Sequence, residues 1–576
     1  IFNIFFFTEI PRNEEIDTIE NISSSNSLIN KSEKDIIKES SLTNEMGLKY
    51  GNLSSLVHGE DKIEIIENEK IQIKVANRGG RIISVILKEY QTYDSLPLDL
   101  FNADSSEFNL QFLTNNNNIN TSDLYFNSEN NGNALSMKLP IDSNSYIEYI
   151  YSINEDFLID FDIKLIGLEN IIPSNINYLN LDWRMKTPQT EKSKSNQDMY
   201  TGIQYQYNNK DVDYLSFTSS DEDKINSKLN WVAFKQQFFS AIFIADKSFN
   251  KPTFLNSKKN EKSKFIKDLS AKFELPYSHN NVEELNFQFY FGPNHYKTLA
   301  AYNKGFEELI PLGWGIFGWV NQYIIINIFD FLSKYMSNYG IIILLLTIII
   351  KICLAPFTYK AFLSQARMKV LKPEIDKINE KHKNKDPMKV QQETMGLYRK
   401  AGVNPMGGCL PMLFQFPILI AMFRFFPASI ELRQQSFLWA DDLSTYDSIM
   451  SLPFNIPFYG DHVSLFTLLM TISTLLYTRM NSSMATGQMA QMKWMMYLMP
   501  IMFLGFFNNY AAGLSYYYFL ANMITFTQQY FMKSLIDENA LLIEIEKNKK
   551  KPRKKSKFQK KLEELQKAQE RKMRKK

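Results

Sequence analysis

Gly340-IIILLLTIII-Lys351-ICLAP-Phe357 is the most apolar stretch of this chain, and a single lysine interrupts it. A run of this length and composition reads as a membrane-spanning helix. At 1.5 Å per helical residue, Lys351 lies roughly 16 Å along it, inside a hydrocarbon core about 30 Å thick. A lysine at that depth costs about 2.5–3.5 kcal/mol. Such a charge ordinarily faces a protein interior or a water-filled cavity and marks a functional site. The competing reading is a lysine that snorkels to water from a helix end, because Pro356 is expected to end the span soon afterwards.

Outward from this stretch the chain divides. Residues 11–300 are polar and rich in Asn, Ser, Ile and Lys, residues 310–532 are largely apolar, and residues 547–576 are overwhelmingly basic. The net charge of +3 averages these unlike parts, so only its distribution is informative. Both cysteines, Cys353 and Cys409, fall in the apolar half, so no disulfide holds the polar half together. His58, His279, His295, His382 and His462 are scattered without the spacing of a zinc site. No G-x-S-x-G and no P-loop occurs. These absences argue against an enzyme, and no cofactor or metal is expected.

The opening IFNIFFF reads as the remnant of an N-terminal membrane anchor over residues 1–10, with a short buried strand as the alternative. Residues 11–50 read as a flexible linker. Residues 51–297 read as an exported β-sandwich. Ile71-Gln-Ile-Lys-Val75 alternates with period two, Asn77-Arg-Gly-Gly80 turns, and Ile82–Leu87 resumes, which is a hairpin signal. Further strands are expected at Tyr146–Ile153, Phe157–Ile166, Trp231–Ala245 and Leu285–Phe291. Their aromatic residues sit at alternate positions, which favours core packing over a sugar-binding face.

Residues 298–337 read as interfacial helices, with Trp314 and Trp319 at the water–lipid boundary and Tyr323–Met336 amphipathic. Residues 338–535 read as a five-span core with spans near Asn338–Phe357, Leu410–Ile430, Val463–Tyr477, Trp494–Phe507 and Leu514–Met532. The fold class expected is thus a polytopic α-helical membrane protein with an exported β-sandwich domain. Tyr359–Gly408 carries eleven Lys/Arg against five Asp/Glu, whereas Glu431–Asp461 has one Arg and five acids. The positive-inside rule places the first loop in the cytoplasm, and alternation places the β-domain outside and the C-terminal tail inside.

Within the first loop, residues 359–403 have helical spacing, with Asp386-Pro387 as an N-terminal signal and Gly402 as a stop. They are expected to form a helical hairpin whose length argues for a partner. Asn404-Pro405 and Gly407-Gly408 then turn the chain tightly back into the membrane. Polar groups recur in the spans, among them Thr347, Gln415, Tyr517, Tyr518 and Asn522. Asn522, Thr525 and Gln528 follow three-residue steps and are expected to share a helix face. If these faces converge on Lys351 the bundle holds a wet groove, and otherwise they are ordinary interhelical hydrogen bonds. A methionine-rich loop from Met480 to Met499 suits either an adaptable surface or plain packing. The tail, residues 536–576, holds sixteen Lys/Arg and three Glu from Lys547 onward, a block that attracts anionic lipid or RNA.

Several of these residues carry a resemblance. Asn404-Pro-x-Gly-Gly-Cys-x-Pro411, Gln415-x-Pro417, Glu431-Leu-Arg-Gln434, Ala512-Gly-Leu-x-x-Tyr-Tyr518, Gln528-Gln529 and Phe291-Gly-Pro293 together resemble the YidC/Oxa1/Alb3 family of membrane protein insertases, in its bacterial YidC form with a large periplasmic domain. The resemblance covers roughly residues 50–535. It implies an inner-membrane insertase whose hydrophilic groove, open to cytosol and lipid, receives hydrophobic segments of newly made proteins. In that picture Lys351, Thr347, Gln415, Tyr517, Tyr518 and Asn522 belong to the groove, and the helical hairpin receives the client. Many family members carry Arg where this chain has Lys351, which keeps the charge but not the guanidinium fork. Nascent membrane proteins are the implied partners, with ribosome contact through the basic tail, the general secretion channel and anionic lipids beside them. The competing function is a secondary transporter of a small anionic solute, which would show an inverted repeat of spans; none is visible.

Overall fold

A computed structural model describes residues 50–114, 117–259, 263–382, 387–404, 410–482 and 493–550. The expected anchor over 1–10, nearly all of the linker, Pro405, Gly407, Gly408, Met484, Met489, Met492 and the basic tail from residue 551 lie outside the described residues.

The N-terminal half is built from alternation. In Tyr146–Ile153 every second residue is buried, as are Ile159, Phe161, Ile163 and Leu165 of Leu158–Ile166, while Asp160, Asp162 and Lys164 point outward. The period of two aims one apolar face at the core. These strands pair antiparallel, Phe161 opposite Tyr151, within a nine-stranded sheet. From edge to edge this sheet runs Val212–Tyr214, Gly202–Tyr207, Leu229–Lys235, Phe239–Phe249, Val282–Pro293, Leu158–Ile166, Tyr146–Ile153, Ala134–Pro140 and Asn127–Asn130. A six-stranded sheet, with Tyr178–Lys186 and Ser106–Leu113 near one edge, packs against it. Aromatic rings join the two layers: Trp183 stacks on Phe234 at 3.8 Å, and Phe108 meets Phe161, Phe243 and Phe289 edge-on. The alternating aromatics are therefore core. The hairpin expected near Asn77–Gly80 is present, with Ile71–Ala76 paired to Arg81–Gln91 and both glycines at positive φ.

One strand expectation needs correction. Trp231–Ala245 is two strands, Leu229–Lys235 and Phe239–Phe249, reversed at Gln236–Phe238. The turn is buried and carries no Gly, Pro or Asn. Tertiary partners hold it instead, Gln237 Nε2 donating to the Pro427 carbonyl at 2.8 Å and Gln197 Nε2 to Gln236 Oε1 at 3.2 Å, while Gln237 Oε1 is buried without a partner.

A short helix, α1 (Lys194–Tyr200), lies on the sandwich. After it come α2 (Tyr296–Ala301), α3 (Ile316–Val320) and α4 (Ile326–Ser333), the last two joined through a π-turn at Asn321–Ile325. Buried Asn321 donates to the carbonyls of Leu312 and Ala421, at 2.7 and 2.9 Å, and so pins this segment to the bundle.

The bundle comprises α5 (Tyr339–Val370), α6 (Lys372–Lys381), α7 (Pro387–Ala401), α8 (Leu410–Phe425), α9 (Leu465–Ser482), α10 (Lys493–Asn508), α11 (Ala512–Leu535) and α12 (Glu538–Lys550). Among the described residues one helix, α5, is long and apolar enough to cross a membrane; Leu413–Phe425, Leu465–Met480 and Trp494–Asn508 are shorter apolar helices. Contrary to expectation α5 does not stop at Pro356 but runs on to Val370, 32 residues and about 48 Å in all. Proline removes one backbone donor, that to Ile352, and the helix on both sides absorbs the loss.

The hairpin arms are therefore the far end of α5 with α6, and α7. The α7 end is a Schellman cap: Gly402 has φ 73°, its N–H donates to Arg399 and that of Val403 to Tyr398. Val403 and Tyr398 pack with Leu371, Ile375, Ala401 and Ile545. Ile545 belongs to α12, which Arg367–Glu544 and Lys369–Glu538 ion pairs, at 3.0 and 2.7 Å, and a Lys549–Glu374 pair also hold to the hairpin.

The sandwich and the bundle meet at a buried ion pair. Arg433 Nε donates to both carboxylate oxygens of Glu191, at 3.0 and 2.9 Å, with the side chains 2% and 7% exposed. The same guanidinium donates to the Gln91 carbonyl at 2.5 Å and lies over the Phe239 ring. Gln434 donates to the carbonyls of Gln91 and Thr92. The Glu431–Gln434 stretch is thus the seat of the β-domain.

Candidate functional site

Lys351 lies on the α5 face that packs against α11 and is 6% exposed. Its Nζ donates to Thr525 Oγ1 of α11 at 2.9 Å. Thr525 can accept because its own hydroxyl proton goes to the Ala521 carbonyl, 2.7 Å away. One turn further along α11, Gln528 Nε2 donates to the Lys351 carbonyl at 3.3 Å, while Gln528 Oε1 is buried without a hydrogen-bond partner. No carboxylate pairs with Lys351 among the described residues. The site is an ammonium with three donors, one of them engaged by a neutral hydroxyl, at the depth where a bare charge is most costly.

The other predicted site residues distribute unequally around it. Thr347 is fully buried one turn away on α5, and its hydroxyl donates to the Ile343 carbonyl at 2.6 Å, so its helix already satisfies it. Tyr517 is buried against Phe426, with ring centroids 5.9 Å apart. Tyr518 is half-buried and faces Phe507 at 6.2 Å. Gln415 is half-buried on α8, and no hydrogen bond joins it to Lys351; Phe414 beside it packs on Phe357 of α5 at 4.4 Å. Asn404 is exposed, and its carbonyl accepts from Ser364 at 2.9 Å.

Asn522 corrects the shared-face expectation. Its Nδ2 donates to Ser473 Oγ and Thr474 Oγ1 of α9, each at 3.0 Å, not toward Lys351. A three-residue step falls short of a full helical turn by about 60°, so two steps rotate about 120°. Asn522 therefore faces α9 while Thr525 and Gln528 face α5. Of the three, Thr525 and Gln528 are the ones that reach Lys351.

A sandwich seated on a helical bundle with a buried ammonium between apolar helices defines a class, a membrane protein with a charge inside its helical core and a large β-domain. Comparison with known proteins narrows it. The family described as "60Kd inner membrane protein" matches residues 331–539, and that described as "YidC periplasmic domain" matches residues 64–326. A membrane protein insertase YidC of Bacteroides fragilis is 43% identical over 587 residues, covering 98% of this chain and 95% of the relative. One from Parabacteroides distasonis is 44% identical over 546 residues, covering 91% and 86%. The chain belongs to the YidC family of membrane protein insertases. It is an inner-membrane protein with a periplasmic domain, and its relatives are named as insertases rather than catalysts.

Among solved structures, an active YidC insertase with its first transmembrane domain resolved is 17% identical and covers 86% of this chain and 98% of that chain, with a TM-score of 0.33. A galactose mutarotase related enzyme from Lactobacillus acidophilus is 9% identical, covering 40% of this chain and 97% of its own, with a TM-score of 0.28. At such scores neither likeness bears on the function.

Proposed function

We propose that the chain passes hydrophobic segments of newly made proteins into the inner membrane through a hydrophilic groove centred on Lys351, open to cytosol and lipid and closed on the periplasmic side. The observation that carries this reading is the Lys351 ammonium itself, buried among apolar helices with a single hydroxyl partner. An interhelical hydrogen bond needs no charge, and a charge without a counter-ion is retained only where water or a passing anion offsets it. In this reading α5, α8, α9, α10 and α11 are the five spans, Thr347, Gln415, Tyr517 and Tyr518 line the groove with Thr525 and Gln528, and Asn522 braces α11 against α9 beside it. The β-domain is periplasmic, and the hairpin and tail are cytoplasmic.

A client's short polar outer segment enters from the cytosol. Water around Lys351 lowers its dehydration penalty, the ammonium attracts its carboxylates, and the apolar segment slides along the bundle into lipid. Apolar partitioning and the membrane potential supply the free energy. The hairpin receives the client, and the basic tail contacts the ribosome or anionic lipid. Action beside the general secretion channel is compatible with this arrangement.

The test is site-specific photocrosslinking to ribosome-bound nascent chains of a single-span client. The probe replaces Tyr518, whose half-buried ring a benzoyl-phenylalanine matches in shape. Crosslinks should move along the client as it lengthens and fall away in Lys351→Ala. A folded protein that gives no crosslink at any chain length refutes the groove.

A further inference from the structure

Between α8 and α9 the chain forms a hairpin, Met450–Ile456 paired with Gly460–Val463. From Ser448 to Gly460 it carries no charge, although Asp447 and Asp461 flank it directly. Ile449, Met450, Phe454 and Ile456 are exposed, and Phe458 at the apex is 92% exposed. Phe458 also has φ 66°, a conformation that bulky residues rarely adopt. A two-stranded hairpin with large apolar groups on its outside is at best marginally stable in water.

The hairpin is nevertheless firmly placed. Asn508, the last residue of α10, donates to the carbonyls of Tyr459 and His462 at 2.9 and 2.8 Å, and Asn509 donates to Tyr459 at 2.8 Å. The apex does not rise away from the bundle. A Cβ on Gly505 would lie 2.8 Å from the Phe458 carbonyl oxygen, so the turn backbone rests directly on α10. Gly505 is three residues, about 4.5 Å, inside the end of that helix. On the same helix Ile501, Met502, Phe503 and Phe506 are exposed, so the apolar surface of the apex continues that of α10.

We propose that this hairpin is a membrane-seated element whose apex, Phe454 to Phe458, lies in the periplasmic leaflet of the bilayer beside α10. The occupant of its exposed face is lipid. Two features fit a lipid boundary specifically. Pro453 and Pro457 remove backbone N–H donors from the strand and turn that would otherwise lie unpaired in a poorly hydrated layer. The exposed Asp461 ends the uncharged segment, as a segment dipping into the interface and returning to water requires. Asp461 is exposed, and Asp447 is turned inward to accept from Ser464 and Trp439. The hairpin then fixes the level at which the short helix α10 meets the membrane surface. The inference rests on the reading of α10 as a span.

The test uses the full chain with Cys353→Ser and Cys409→Ser, reconstituted in phosphatidylethanolamine–phosphatidylglycerol vesicles. Nitroxide labels go on Phe458→Cys and Phe454→Cys, with Met502→Cys on α10 and Tyr214→Cys on the β-domain as references. Collision rates with oxygen, which concentrates in lipid, and with a water-soluble nickel chelate are compared. The expected result is oxygen-dominated collisions at 458 and 454 matching those at 502, with nickel-dominated collisions at 214. Nickel-dominated collisions at 458 with oxygen-dominated ones at 502 would overturn the proposal and leave α10 as a span. Nickel-dominated collisions at 458 and 502 alike would overturn both. Exclusion of both reagents at 458 would assign the face to a second copy of this chain and overturn the lipid assignment.

Discussion

Lys351→Met separates two quantities that most membrane-core substitutions change together. Methionine fills a similar volume without charge. Removing the ammonium relieves the cost of a central lysine, about 2.5–3.5 kcal/mol. It also deletes the bond to Thr525, a hydrogen bond to a charged group worth about 1.5–3 kcal/mol. The two nearly cancel, so the thermal stability of the bundle should stay the same or rise slightly.

Client binding has no such compensation. An ammonium and a client carboxylate about 4 Å apart attract by about 4 kcal/mol at an effective dielectric constant of about 20. Groove water reduces this, and even a third of it is about tenfold in occupancy. The assay is insertion of single-span clients into proteoliposomes, read by protease protection of the outer segment. Two clients are used, identical except that Asp and Glu in the outer segment of one become Asn and Gln in the other. Lys351→Met should slow the acidic client by about tenfold or more and the neutral one by much less, while Lys351→Arg should keep most activity on both. Equal loss on the two clients, in protein of unchanged stability, would refute the attraction argument and leave Lys351 only the role of wetting the groove.

Three further outcomes follow from other parts of the molecule. Arg433→Met leaves Glu191 buried and unpaired and should cost about 3–5 kcal/mol, most of it recovered in Arg433→Met/Glu191→Met; hydrogen exchange at Gln91 and Thr92 in the full chain reads the loss of docking. Burial and the nearby Lys267 push the amine of Lys235 down to about 7 from its usual 10.5. Between those values the unfolded chain holds a proton that the folded one lacks, so stability should climb from pH 7 toward 10 by up to about 1.4 kcal/mol per unit and be flat below 7; β-domain unfolding of Lys235→Met should lose that slope. Gly340→Ala drives a methyl to 2.0 Å from the Phe437 ring and should cost about 1–3 kcal/mol, a penalty that Phe437→Ala in the same chain should relieve in a thermal melt.

Local chemistry made much of this protein legible from its residues. Period-two alternation defined the strands at Tyr146–Ile153 and Leu158–Ile166, because a half-buried strand permits no other pattern. Gly402 announced the end of α7, since only glycine takes that positive φ at no steric cost. The apolar run around Lys351 marked a span and a costly charge, because both depend on composition over a known length.

What remained depended on partners distant in sequence. The turn at Gln236–Phe238 carries no turn residue, and hydrogen bonds between its side chains and both the bundle and α1 hold it in place. The α5 helix runs through Pro356, as its flanking turns hold it on both sides. Glu191 and Arg433 find each other only after the sandwich has seated on the bundle. The sequence by itself thus determined the elements, the charge in the membrane and the family. Tertiary structure alone decided that Thr525 and Gln528 meet Lys351 while Asn522 turns to α9, because the rotation of α11 about its axis is set by packing against two neighbours at once.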